Sequence, residues 1–325
     1  MLGLGHSLVG GSALDDLYLM TKSFSFDGTD DIFLTNTLSG TDPANGTAKP
    51  ISTSLCGAMW VKFDDGTVNP YNNQDGNSYT ILGCVNNGGW QLYYSAKRFY
   101  FKASFNNLAS GSSHLVNSTY AKMRVPTSGT DYGRYLYRSD HWHLVVFTVD
   151  MESNDSSVTT NLYVDGNRAQ AGTGSQDGSS GVAQYGSDPE TSDNKKTTSA
   201  SGGDITYKYD ATADRDETDV VIGARSSFAS ATDVTSFSTG GFTGSIGDVA
   251  IWEDVVLTQD DIASLYNLHT PMDMSTIQTS NLRGYWRPTK GNDDSVSGTT
   301  GALVDDTAAA TDSPSLDVSG YAGYR

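Results

Sequence analysis

Between Ser52 and Phe63 the chain sets Leu55, Gly57, Met59, Val61 and Phe63 at alternate positions and places Cys56, Ala58, Trp60 and Lys62 between them. Successive side chains of extended backbone point to opposite faces, so this segment carries apolar groups on both. It reads as a long strand covered on each side, which a lone solvent-faced hairpin cannot provide.

Shorter runs repeat the pattern on either side. Phe24 and Phe26 alternate before the turn Asp27-Gly28-Thr29-Asp30-Asp31, after which Ile32-Phe33-Leu34 resumes. Tyr79 to Val85, Trp90 to Tyr94 and Phe99 to Phe105 are separated by short polar links, as in an antiparallel meander. His141 to Val149 and Thr159 to Val164 follow, the second ending in the hairpin-turn run Asp165-Gly166-Asn167. Strand signals return at Asp219 to Gly223, at Phe242 to Trp252 and at Asn281 to Trp286. One short helix is expected, with Thr258 as cap, Asp261 in its first turn, and Ile262, Leu265 and Tyr266 on one face. The 35 Gly and 18 Tyr in 325 residues suit many short strands joined by tight turns.

Residues 1–22 read as an arm that packs on something else. Residues 23–270 read as one large domain, with a Gly/Ser/Asp-rich surface insertion at about 172–218 that is expected to supply little core. Residues 271–325 add a strand and then a tail that looks extended and weakly packed.

The formal net charge is −18, and nearly all of the acidity is Asp, since Glu occurs only at 152, 190, 217 and 253. Asp favours turns, so the charge is expected at loop tips. Nucleic acid and anionic membrane are unexpected partners of such a surface, and no basic patch stands out. Residues 1–22 lack a basic n-region and a continuous apolar run, and Asp15 and Asp16 interrupt them, which makes a poor secretion signal. No run of 18 apolar residues occurs. Cys56 and Cys84 pair only if their strands are neighbours, and are otherwise buried thiols.

Four segments in order resemble the LamG / concanavalin A-like lectin–glucanase superfamily. They are Ser25 to Asp31, Asp140 to Asp150 with Leu162 to Gly166, Val221 to Gly223, and Phe242 to Trp252 with Leu257-Thr258 and Ile262 to Asn267. The resemblance implies an all-β fold: an antiparallel two-sheet β-sandwich of jelly-roll, concanavalin A-like type, with one short helix and extended N- and C-terminal segments. The closing run Leu282-Arg283-Gly284-Tyr285-Trp286-Arg287 and the Gly/Ser-rich start also resemble LamG-type proteins encoded by tailed bacteriophages.

Retaining glucanases of that superfamily place a nucleophile and an acid on one strand as Glu-x-Asp-x-x-Glu. Here Glu217-Thr218-Asp219 runs into Val220, Val221 and Ile222, so the second carboxylate is missing and no catalysis is expected. His141 and His143 share a strand face, a spacing compatible with metal, yet they match a structural segment of the family. Superfamily members often hold calcium through loop oxygens, and Asp27 and Asp248 are the candidate ligands here, unless they serve only to make turns. Trp90, Tyr93, Tyr132 and Tyr135 are the candidate carbohydrate platforms, unless they are core residues. The functional expectation is a non-catalytic phage virion protein, a capsid decoration or a tail or fibre component, that contacts other virion proteins or copies of itself. The alternative is a calcium-assisted lectin or adhesin for a surface glycan.

Overall fold

The computed structural model describes residues 23–27, 31–35, 40–41, 48–49, 53–63, 79–84, 89–95, 98–117, 123–124, 137–138, 142–151, 156–168, 195–208, 220–223, 226–227, 236–237, 242–267, 271–286, 301–305 and 315–317. They form two antiparallel sheets packed face to face, the sandwich implied by the sequence.

The strands that build it are β1 (Ser23–Asp27), β2 (Asp31–Thr35), β3 (Leu55–Phe63), β4 (Tyr79–Cys84), β5 (Trp90–Ser95), β6 (Arg98–Asn106), β7 (Ser113–Asn117), β8 (His143–Met151) and β9 (Ser157–Val164). They continue with β10 (Lys195–Ser199), β11 (Thr206–Tyr207), β12 (Val220–Ile222), β13 (Thr243–Glu253), β14 (Leu282–Trp286), β15 (Gly301–Asp305) and β16 (Ser315–Asp317). One sheet runs β9-β8-β3-β13-β1-β16, with β10 on the outer edge of β9 and β14 beside β13. The other runs β6-β5-β4-β12-β2-β15, with β7 and β11 both paired to β6.

β3 is covered on both sides, as its alternation requires. Leu55, Met59, Val61 and Phe63 enter the core between the sheets, together with Phe24, Phe26, Trp90, Phe101, Phe147 and Trp286. Cys56, Ala58 and Trp60 point the other way, into a second apolar layer with Leu144, Val146, Trp252 and Tyr285. That layer is roofed by the helix α1 (Gln259–Tyr266), whose Ile262 and Leu265 are buried in it. Thr258 caps α1 and forms a reciprocal capping box with Asp261. The Trp60 ring lies under Tyr266 at 6.4 Å.

The cysteines do not pair, because they lie in different sheets: β3 carries Cys56 and β4 carries Cys84. The Cys56 thiol is buried and free, donates to the Val255 carbonyl and accepts from the Leu257 amide. Burial pushes its pKa up to about 12, so it is an inert thiol.

The insertion departs from the expectation of little core. Its residues 195–208 run from one sheet to the other: β10 pairs with β9, and β11 pairs with β6. Ile205 and Tyr207 are buried in the inter-sheet core and Thr198 is also buried, so this passage closes one side of the sandwich. The tail is likewise partly built into the fold, since β15 extends the second sheet beside β2 and β16 extends the first beside β1. The expected arm at residues 1–22 lies outside the described residues.

Beside the insertion, His114 of β7 is fully buried between the sheets and its Nδ1 meets the Thr160 hydroxyl of β9 at 3.1 Å. Its Nε2 has no hydrogen-bond partner. Burial, and then the Lys196 ammonium, lower its pKa to about 4. As pH falls through the unfolded-chain value near 6.5, the unfolded chain takes a proton that the folded chain refuses until about pH 4. Stability is therefore expected to fall across that window by on the order of 2 kcal/mol more in the wild type than in His114→Gln. Urea denaturation of both proteins at pH 7 and 4.5 measures the difference, and parallel loss in the two would show that another group titrates.

Candidate functional site

The two outer faces of the sandwich differ. The first sheet is roofed by α1 and the segment 271–281, whereas among the described residues no element covers the outer face of β5, β6 and β7 in the second sheet. Which side chains stand on that open face follows from alternation. Trp90, Leu92, Tyr94, Phe99, Phe101, Ala103, Phe105, His114 and Val116 are buried inward, so their neighbours in sequence point out.

The ladder aligns those outward residues in rows. Tyr93 stands opposite Tyr100, and Tyr100 opposite Asn117. The next row sets Gln91 against Lys102 and Lys102 against Leu115. The Tyr93 and Tyr100 rings stack at 5.0 Å with planes 8° apart. Cross-strand aromatic pairs of this kind are rigid, and each ring keeps an apolar body with a polar tip. Partial burial and then the Tyr100 neighbour push the Tyr93 pKa up to about 12, so it is a neutral phenol at physiological pH. Leu115 is 43% exposed, and it is the one exposed large hydrophobic side chain among the described residues. Rings, an amide, an ammonium and an aliphatic side chain thus share one flat surface.

The carbohydrate candidates separate on this geometry. Tyr93 stands on the open face. Trp90 does not: it is 1% exposed and packs against Phe147 at 5.4 Å, because it lies an odd number of residues from Tyr93 and so faces the core. Tyr132 and Tyr135 lie outside the described residues. Tyr100 was not singled out from the sequence, although its alternation with Phe99 and Phe101 places it opposite to them.

The two calcium candidates do not converge. Asp27 pairs with Thr243, whereas Asp248 lies two residues past the Phe24–Ile246 pair, so the register separates them by roughly 15 Å. Asp248 is fully buried, and its Oδ2 accepts from the Tyr285 hydroxyl at 2.8 Å. Tyr285 in turn accepts from the Met274 amide, so this carboxylate ties β13 to β14 and the segment that covers them. The Asp27 side chain is outside the described residues. Among those residues, no group of three or more His, Cys, Asp or Glu gathers as metal ligands.

His143 is buried and its Nδ1 donates to Asp165 at 2.8 Å, while the other Asp165 oxygen accepts from the Leu144 amide at 3.0 Å. Asp165 and Gly166 have φ of 53° and 75°, the two left-handed positions of the hairpin turn anticipated at Asp165-Gly166-Asn167. A Cβ on Gly166 would meet the Tyr266 ring at 2.9 Å, and the Gly166 carbonyl accepts from Gln259, so the turn is fitted to α1. His143 is thereby a fold residue; His141 lies outside the described residues. Of the four Glu, Glu253 pairs with Arg283 at 3.1 Å, and Glu152, Glu190 and Glu217 lie outside the described residues.

No protein-family model and no curated protein matches the chain. Several solved structures share its fold loosely. The receptor-binding domain of botulinum neurotoxin D matches 78% of this chain and 46% of its own at 14% identity and a TM-score of 0.33. The binding domain of Paraclostridial Mosquitocidal Protein 1 matches 77% of this chain and 52% of its own at 10% identity and a TM-score of 0.36. A Ruminococcus gnavus IT-sialidase CBM40 bound to alpha2,3 sialyllactose matches 77% of this chain and 100% of its own, at 11% identity and a TM-score of 0.35. The chain thus spans about half the length of the two toxin domains. These are likenesses of the two-sheet architecture, and no function follows from them.

Proposed function

We propose that this chain is a non-catalytic, lectin-like binding module that recognises a glycan on the open face of its second sheet. The observation that carries the proposal is the stacked Tyr93–Tyr100 pair beside Gln91 and Lys102, on a face that nothing among the described residues covers. Sugar rings present apolar C–H faces and rims of hydroxyls. An aromatic body flanked by amide and ammonium donors matches both. Among the described residues, no carboxylate pair converges there to act on a glycosidic bond.

Titration against a polysaccharide panel tests this. Tyr100→Ala is expected to weaken binding about tenfold or more, with the melting temperature little changed, because a half-buried ring at the centre of a contact contributes disproportionately. Panel-wide silence of the wild type would remove the reading. Repeating the titration with a chelator tests calcium; Asp248 is not expected to mediate any dependence, since it sits beneath Tyr285.

A second reading concerns where the module works. Leu282 to Arg287 and the Gly/Ser-rich start resemble phage-encoded proteins, which supports a place in a virion as capsid decoration, tail or fibre, in contact with other virion proteins or further copies. The two readings are compatible, since a particle-borne domain can hold a surface glycan. Mass spectrometry of purified particles tests placement: a copy number in the hundreds indicates capsid, a few tens or fewer indicates tail, and absence refutes it.

A further inference from the structure

We propose that the glycan bound by the open face is acidic, and that Lys102 and Lys208 hold its carboxylates. This rests on the glycan reading above and adds the chemical class of ligand.

The charge of the chain is distributed unevenly. From Gly76 to Thr130 there is no Asp or Glu, while Lys97, Arg98, Lys102, Lys122 and Arg124 all fall in that stretch. The rest of the chain is therefore even more acidic than the total of −18 suggests. The basic stretch contains β4 to β7, four strands of the open sheet. Of its basic residues, Lys102 stands on the open face and is exposed, while Lys97 and Lys122 lie outside the described residues.

A second cation reaches the same face from the insertion. Ile205 and Tyr207 are buried, so Thr206 and Lys208 point outward, and both are exposed. The Lys208 amide donates to the Ser104 carbonyl at 2.9 Å, and its own carbonyl accepts from Gly89 at 2.7 Å, which fixes it beside β6 just beyond the start of β5. Lys102 lies two residues along β6 from Ser104. Strand spacing then puts the backbones of the two lysines about 8 Å apart, with Gln91 and Ser104 between them. Both ammonium groups are free of ion pairs among the described residues. Asp204, the nearest described acidic residue in sequence, lies past the Asn106 end of the strand, where its carbonyl accepts from Asn107; Asp210, two residues beyond Lys208, lies outside the described residues.

Aromatic bodies beside two spaced cations select a ligand that is apolar in its rings and anionic at intervals. A polymer of uronic acids has that chemistry. Nucleic acid fits less well: duplex DNA carries about one charge per 1.7 Å of axis, and a chain of net charge −18 repels it overall.

The test titrates the full chain with alginate, polygalacturonate and hyaluronate, each beside its carboxyl-reduced form, with single-stranded DNA as a further probe. At least one acidic polymer is expected to bind, more weakly as salt rises, and its reduced form at least tenfold more weakly still. Lys102→Gln and Lys208→Gln are each expected to lower affinity about five- to tenfold and the pair more, with unchanged melting. Equal binding of acidic and reduced polymers, indifferent to the lysine variants, would overturn this proposal while leaving the glycan reading standing. Binding to neutral polysaccharides alone would do the same. Preference for DNA would overturn both, as would silence toward every polysaccharide.

Discussion

Trp90→Ala is expected to destabilise the protein by about 3–5 kcal/mol, as truncation of a large core aromatic usually does. Trp90 is the hinge point of an aromatic stack between the sheets: it packs on Phe147 at 5.4 Å and on Phe101 at 6.4 Å, and Phe101 and Phe147 stack on each other at 4.1 Å. Phe147 itself fits only because position 57 is glycine, where an added Cβ would run into its ring. No neighbour has room to collapse into the lost indole without disturbing that fit, so a cavity remains. Since whole domains are stable by about 5–15 kcal/mol, the variant retains only a fraction of its stability at 25 °C. Urea denaturation followed by tryptophan fluorescence measures it. A variant that stayed as stable as the wild type and lost only glycan affinity would put Trp90 on the ligand face and reverse the inside and outside of β5.

The second large effect is expected at Asp165→Ala, also about 3–5 kcal/mol. One carboxylate there holds two buried donors, His143 Nδ1 and the Leu144 amide, and orphaning each costs about 1–3 kcal/mol. The backbone adds to this, because φ is 53° and alanine adopts that region less readily than Asp or Asn. Asp165→Asn separates the contributions. It tolerates the left-handed backbone and still accepts from Leu144, so its loss is expected near half that of alanine. Thermal denaturation of the three proteins gives the order wild type, Asn, Ala. Equal loss in both variants would mean that the His143 contact alone carries the effect.

Much of this architecture could be read from residue order, for identifiable reasons. β3 announced itself because both of its faces are apolar, and the structure needs both, one for the core and one for the layer beneath α1. The Asp165-Gly166 turn and the Thr258 cap were legible because each depends on the conformational preferences of one or two residues. The candidate site was less so. Alternation sorts Trp90 from Tyr93, but which set faces inward is settled by what the opposite sheet supplies, here Phe147 from a distant strand. The insertion hid its contribution because Ile205 and Tyr207 are two apolar residues in a polar stretch, and they matter only once β10 and β11 have been paired with separate sheets. The cationic character of β4 to β7 was obscured by averaging, since the overall acidity masks a continuous stretch without a carboxylate. Asp27 and Asp248 looked like partners because each occupies a position in the superfamily-like motifs, and only the pairing register shows that they stand apart.

The position of β15 and β16 bears on which sheet edges this fold leaves for pairing. Each lies against the flank of a different sheet, and both flanks are on the same side of the sandwich, next to β2 and β1. Without them, two rows of unsatisfied peptide groups would face outward together, a template on which a second molecule could continue the ladders. The outer edges are then those of β15 and β16 themselves, and the three-residue edge of β16 replaces the five-residue edge of β1, a shorter template for pairing.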